Sequence, residues 1–130
     1  MSLHAVISGK EFNELYPDKT FIKLTNKDEI HNGFQFKTGL NIDTIQFNPT
    51  GECSTGGLYF CDENDVGRWI EYGNKKMTYY RVVKVLDDAN IYIEEYKFKT
   101  DKFILGEKQS IFDNLNYCKL ITDYMMFIIL

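Results

Sequence analysis

The chain has no Cys-x-x-Cys pair; its three cysteines, Cys53, Cys61 and Cys118, are odd in number and widely spaced. That pattern argues for reduced thiols in a reducing compartment and against a disulfide framework. His4 and His31 are the only histidines and stand at no zinc-finger spacing, so no metal site is expected. A cysteine nucleophile paired with His31 has no local signature either. Basic residues are not in excess: fifteen Lys and Arg face nineteen Asp and Glu, for a net charge of −4. Counterion release needs a dense cationic face, so no general nucleic-acid partner is expected. Long apolar runs are missing as well. The longest, Tyr124 to Leu130, falls far below the roughly 20 residues that cross a bilayer. The N-terminus lacks a basic start, apolar stretch and cleavage site, so the chain is expected to be neither secreted nor membrane-bound. Alanine (Ala5, Ala89) and arginine (two, against thirteen lysines) are scarce, while Asn, Ile, Tyr and Phe are common. Those preferences match an AT-biased genome and carry no mechanism.

What is present is enough for a real core. At 130 residues, with 44% hydrophobic and 26% charged residues, the chain matches one globular domain. That domain is expected to have a core module over 20–106 and a C-terminal segment over 107–130. Up to about residue 19 a weak helical pattern (Phe12, Leu15, Tyr16) is closed by Pro17. Residues 20–25 (TFIKLT) and 33–39 (GFQFKTG) alternate as strands do. Residues 40–57 carry Asn, Pro, Ser and Gly around Ile42, Ile45 and Phe47, and read as a long irregular connection with one strand inside. Loops of that length are usually functional, so a site is expected there.

GLYFC (57–61) reads as a buried central strand feeding a helix over 63–72. Asp62 would cap it, Glu63 and Asp65 suit its positive end, Val66, Trp69 and Ile70 form its apolar stripe, and Gly73 stops it. Trp69 should then be largely buried. Residues 78–86 and 91–94 flank the turn DDAN and predict a hairpin. Residues 96–105 alternate onward with a break at Thr100 and Asp101. From about Ser110, apolar residues at helical spacing predict a C-terminal helix. The fold expected is therefore α+β: a small mixed or antiparallel sheet with one central helix and that C-terminal helix. Tyr124 to Leu130 is apolar all round and must be covered, either by its own sheet or by the same segment of a second chain. The homodimer is the expectation, because two-fold pairing is the commonest oligomeric symmetry.

Several motifs occur together: LTNKDEIHNGFQFKTGLNID (24–43), FNPTGECSTGGLYFC (47–61), the Trp-bearing segment and KFKTDKFIL (97–105). In this combination the chain resembles the leading module of ankyrin-repeat and related uncharacterised proteins encoded by giant viruses of the mimivirus group. GFQFKTG, Cys53, GGLYFC and KTDK are also similar to a small domain of phage proteins. The resemblance implies a non-enzymatic protein-interaction module with a host or viral protein as partner, working in the host cytoplasm or the virion. No cofactor or catalytic residue comes with it. The ankyrin signature T-P-L-H-x-A is missing here. Trp69, Tyr59 and Phe47 are the candidate binding residues, although Trp69 on an apolar stripe is more often core.

A second resemblance competes. GGLYFCD is similar to the strand of NAD-using ADP-ribosyltransferases in which a tyrosine stacks on nicotinamide and an earlier histidine holds the ribose. It implies NAD as cofactor and a cleft formed by His31, Tyr59 and a later acid, Glu107 or Glu94. Here His-Asn-Gly stands where that family has His-Gly-Thr, and no final glutamate motif is recognisable.

Overall fold

A computed structural model describes residues 3–51, 54–72 and 75–111. Its elements run β1 (Val6–Ser8), α1 (Gly9–Leu15), β2 (Phe21–Thr25), β3 (Ile30–His31), β4 (Phe34–Gln35), β5 (Gly39–Ile42) and β6 (Leu58–Asp62). A 3-10 helix (Glu63–Arg68) follows, then β7 (Glu71–Tyr72), β8 (Lys75–Lys76), β9 (Tyr79–Lys84), β10 (Asn90–Glu94), β11 (Lys97–Thr100), β12 (Lys102–Leu105) and β13 (Gln109–Ser110). The main sheet has the order β1-β10-β11-β6-β2-β9-β12-β5, with β13 also on β9, and every pairing in it is antiparallel.

The expected α+β class with a central helix is thus overturned: the fold is an antiparallel β structure in which the helices are short caps. Asp62 does cap the segment after β6, accepting from the Asn64 amide at 2.9 Å. What it starts is a 3-10 helix of six residues, not an α-helix to residue 72. Gly67 weakens an α-helix by about 1 kcal/mol relative to Ala, and a ten-residue helix is marginal by itself. Val66 and Trp69, three apart, suit the tighter repeat, and the Trp69 amide closes on Val66 at 3.0 Å. Glu71 and Tyr72 then pair with Lys75 and Lys76 as a small ribbon.

The predicted hairpin between residues 78–86 and 91–94 is also absent. β9 pairs with β2, β12 and β13, whereas β10 pairs with β1 and β11. The turn between them docks on α1 instead: the Gly9 and Lys10 amides donate to Ala89 and Asp87 carbonyls, and Asn13 Nδ2 donates to the Val85 carbonyl at 2.9 Å. Gly9 is needed there, since a Cβ would lie 1.7 Å from the Leu86 carbonyl oxygen. The expected leader helix is α1, the expected strand at 20–25 is β2, and GLYFC enters interior strand β6.

The sheet must curl. β11 and β12 are joined by Asp101 alone, yet β6, β2 and β9 lie between them in the sheet. Laid flat, four strand spacings would separate them by about 19 Å, against about 7 Å that one intervening residue can span. Residues 97–105 are therefore one strand bent at Asp101, whose carboxylate accepts from the Asn90 amide at 2.9 Å and from its side chain at 3.0 Å. One face of the curled sheet packs Phe21, Phe60, Val83, Phe103 and Leu105 around Phe12 of α1. The other face packs Ile22, Cys61 and Tyr80 under Val66, Ile70 and Met77. Burial of these side chains, each worth about 1.5–3 kcal/mol, holds the fold. The predicted C-terminal helix, the Tyr124–Leu130 contact, Cys53 and Cys118 lie outside the described residues.

Candidate functional site

β2 and β6 are paired only where Phe21 faces Asp62 and Ile22 faces Cys61. Beyond that point β2 continues along β9 to Thr25, and Leu58 to Phe60 run along β11. The seam between the two central strands opens there into a cleft of about 240 Å³. Because successive side chains point to opposite faces, the split strands supply both faces at once. Lys23, Leu58 and Phe60 come from one face; Leu24, Tyr59 and Cys61 come from the other.

Three further segments close the walls. The β3–β4 hairpin brings His31, Asn32, Phe34 and Phe36. Its turn is Asn32-Gly33, with φ of 50° and 78°, the left-handed pair that a two-residue hairpin requires. His-Asn-Gly is thus first a turn signal, and its place in the sequence could have been read that way. Glu29 anchors the hairpin from within: Arg81 donates to both its oxygens at 2.9 Å, Thr25 Oγ1 donates at 2.8 Å, and Arg81 also reaches Thr38 and the Gly106 carbonyl. Burial alone would raise the Glu29 pKa, but the hydrogen bonds from Arg81 and Thr25 outweigh it and hold the carboxyl below its ordinary value.

The second wall is the long connection after β5, contributing Asp43, Ile45 and Thr55 to Gly57. Lys99, with no exposed surface, holds it from behind: Nζ donates to the carbonyls of Asn48 at 2.8 Å and Thr50 at 3.1 Å and to Ser54 Oγ at 3.0 Å. Gly57, at φ 152°, lies on the lysine stem; a Cβ would come within 2.5 Å of it. Asp43 ties the two ends of the loop by accepting from the Gly57 amide at 2.8 Å and the Ile45 amide at 3.1 Å. The third wall is Trp69, Met77 and Lys97. Trp69 is partly buried, packed against the outer cluster with one edge on the cleft. Its indole N–H donates to the Tyr96 carbonyl at 3.1 Å.

Two of the three residues that the transferase resemblance implies, His31 and Tyr59, do meet in this cleft. Glu107 is exposed and forms no part of it. Glu94 is buried and approaches only through Lys97, with 3.6 Å between the charged groups. Of the binding candidates, Trp69 and Tyr59 line the cleft, and Phe47 does not. Lys23, Lys97 and the Phe34–Phe36 pair escaped sequence reasoning; only the alternation of 33–39 pointed near them. Cys61 borders the cleft, but burial, followed by the nearby Asp65, pushes its thiol up to about 12, so at neutral pH it stays protonated. Among the described residues no cluster of three or more His, Cys, Asp or Glu side chains is placed to hold a metal. No helix among them is long and apolar enough to cross a membrane.

Fold and cleft together define a small antiparallel β module with one aromatic cleft in its central seam. The chain is 33% identical over 97 residues to an uncharacterised protein of Acanthamoeba polyphaga mimivirus, a match spanning 73% of this chain and 70% of that protein. Two proteins of the same virus named "Putative ankyrin repeat protein" are 44% identical over 57 residues and 34% identical over 87 residues. Those matches span 42% and 66% of this chain, but only 28% and 23% of the two relatives. The chain belongs to this family of mimivirus proteins. No family model and no solved structure matches it.

Proposed function

We propose that this chain is a non-enzymatic protein-interaction module of a giant virus, acting in the host cytoplasm or the virus particle. Its recognition site is the β2–β6 cleft, which takes one large apolar side chain from a host or viral protein. The observation that carries this reading is the cleft itself: mostly apolar walls, a few convergent polar groups, and about 240 Å³ of space. Pockets for drug-sized ligands run to about 300–1,000 Å³, so this one suits a single side chain better than a dinucleotide. The ankyrin-repeat names of the relatives point the same way, since stacked repeats build extended protein-binding surfaces.

The convergence of His31 and Tyr59 favours the second reading, an ADP-ribosyltransferase-like use of NAD. Against it stand the size of the cleft and the engagement of its one wall carboxylate, Asp43, by the loop amides of Ile45 and Gly57. Two measurements separate the readings. Affinity capture from infected cells should retain a discrete protein with the native chain and lose it with Ile45→Glu, which places a charge on an exposed wall residue without touching the core. Incubation with NAD should release no nicotinamide. Turnover that disappears in His31→Ala, with capture unaffected by Ile45→Glu, would replace the binding module with the enzyme.

A further inference from the structure

Where β6 parts from β2 it leaves backbone uncovered as well as side chains. In an antiparallel ladder the amide and carbonyl of alternate residues turn to the same neighbouring strand. The Glu63 amide donates to the Thr20 carbonyl at 3.0 Å and Ile22 stands opposite Cys61, so Thr20, Ile22 and, by alternation, Leu24 turn toward β6. Lys23 and Thr25 turn the other way, toward β9, and the Thr25 carbonyl accepts from the Thr78 amide at 2.9 Å. The ladder with β6 ends at Ile22, and no described residue hydrogen-bonds to the amide or carbonyl of Leu24 on that side. Leu24 is nonetheless 6% exposed and lines the cleft. A buried peptide group left in this way costs about as much as a lost hydrogen bond, so the edge is primed for a partner. The cavity lies where that partner would run: its walls come from both faces of the sheet, which puts it in the plane of the strands and not above them.

Resting on the protein-binding reading above, we propose that the cleft is a strand-addition site: an extended segment of the partner protein follows the course that β6 has left, and one of its residues exchanges both main-chain hydrogen bonds with Leu24. The Leu24 amide carries partial positive charge and its carbonyl partial negative charge, spaced to meet the carbonyl and amide of one residue in an antiparallel strand. That residue places its side chain on the Leu24 face, where Cys61, Met77 and Trp69 pack, and is therefore the large apolar one. Its two neighbours point to the opposite face, toward Leu58 and Phe60. Main-chain bonds then supply affinity, and the pocket supplies choice of side chain.

The single tryptophan, Trp69, lies in the cleft wall and reports occupancy directly. Its emission is followed while the full chain is titrated with the blocked heptapeptide Gly-Ser-Thr-Phe-Thr-Ser-Gly and three relatives. In one relative Phe is replaced by Ala; in the others an ester replaces the amide of Phe or of the final Gly, removing one N–H and no side chain. The parent should shift the emission saturably, and the Ala peptide should leave it unchanged. The Phe ester should bind about tenfold more weakly than the parent, and the Gly ester should match it. In isotope-labelled chain, the Leu24 amide proton should move downfield as the parent peptide binds. Equal binding of the parent and the Phe ester, or a Leu24 proton that stays in place, overturns strand addition but leaves an apolar side-chain pocket. If that proton already stands downfield without peptide, the chain covers the edge itself and strand addition by a partner is wrong. Failure of every peptide to shift Trp69 emission overturns both readings.

Discussion

Two aromatic regions of this molecule are built from the same residue types and come to opposite ends. Around Phe12, the rings of Tyr16, Phe21, Phe60 and Phe98 lie 4.8 to 5.8 Å from its own ring, tilted or edge-on to it, and Phe12 retains no exposed surface. In the β2–β6 seam, Tyr59 and Trp69 face the Lys97 ammonium group, and both stay partly exposed. What separates the two is strand pairing. Where β6 stays paired with β11, Phe60 and Phe98 stack at 5.3 Å across the ladder and seal the interior. Where β6 parts from β2, the sheet has no neighbour to close it, and the same kind of side chain becomes a wall. Composition supplies the material for both, and the interruption of one ladder decides which is core and which is site.

The sharpest way to break that contrast is to empty the sealed region. Phe12→Ala should lower the unfolding free energy by about 3–5 kcal/mol, as large-to-small core changes with a residual cavity do. Denaturant unfolding measures it. A loss below about 1 kcal/mol would mean that the interior is no better sealed than the cleft.

Next in size is the polar anchor of the hairpin wall. Glu29→Gln leaves Arg81 buried with a weakened partner, and breaking such a pair costs about 3 kcal/mol. The pH dependence carries a definite sign. Because the folded-state pKa of Glu29 lies below the ordinary 4.5, its contribution is fully present above that value and is lost as pH falls through the lowered one. Acid titration of the native chain, followed by Trp69 emission, should thus show a transition below pH 4.5 that Glu29→Gln lacks.

These two elements also mark how far the sequence could be read. Strand β2, strand β6 with its Asp62 cap, helix α1 and the break near Asp101 were legible, because alternation, capping chemistry and Pro17 act locally. The central helix was not, since Val66, Trp69 and Ile70 fit an α-helical stripe as well as the 3-10 turn and ribbon that Gly67 favours. The 78–94 hairpin failed for a different reason: the DDAN turn is held by Gly9 and Asn13, some 75 residues away. Of the site, Tyr59, Trp69 and His31 were singled out in advance. Their meeting depends on where the β2–β6 ladder stops, and no local pattern encodes that.

A smaller effect is expected from the second wall. Lys99→Met keeps the stem that packs under Gly57 but strips the carbonyls of Asn48 and Thr50 of their donor, at a cost of about 2 kcal/mol. Hydrogen exchange should localise the loss to residues 43–57 and leave the strands around Phe12 protected. Uniform loss of protection would mean that the loop belongs to the core and not to the cleft.

The smallest change in stability should come from the rim. Trp69 is half-buried, packs on the edge of the outer cluster and gives one hydrogen bond to the Tyr96 carbonyl. Trp69→Phe keeps a ring against Met77 and Lys97 while surrendering that bond, which is worth about 1 kcal/mol at a partly exposed site. Thermal melting should therefore move little. Binding should respond more strongly, because an aromatic anchor at the centre of a contact commonly accounts for about 2 kcal/mol or more. If Trp69→Phe melts about 10 °C or more lower, well beyond the few degrees that one lost hydrogen bond explains, and binds its partner unchanged, then Trp69 is a core residue that happens to be visible. The difference between the two aromatic regions would then be one of depth alone. If stability holds and affinity falls, the open ladder is the feature that turns a ring from packing into recognition.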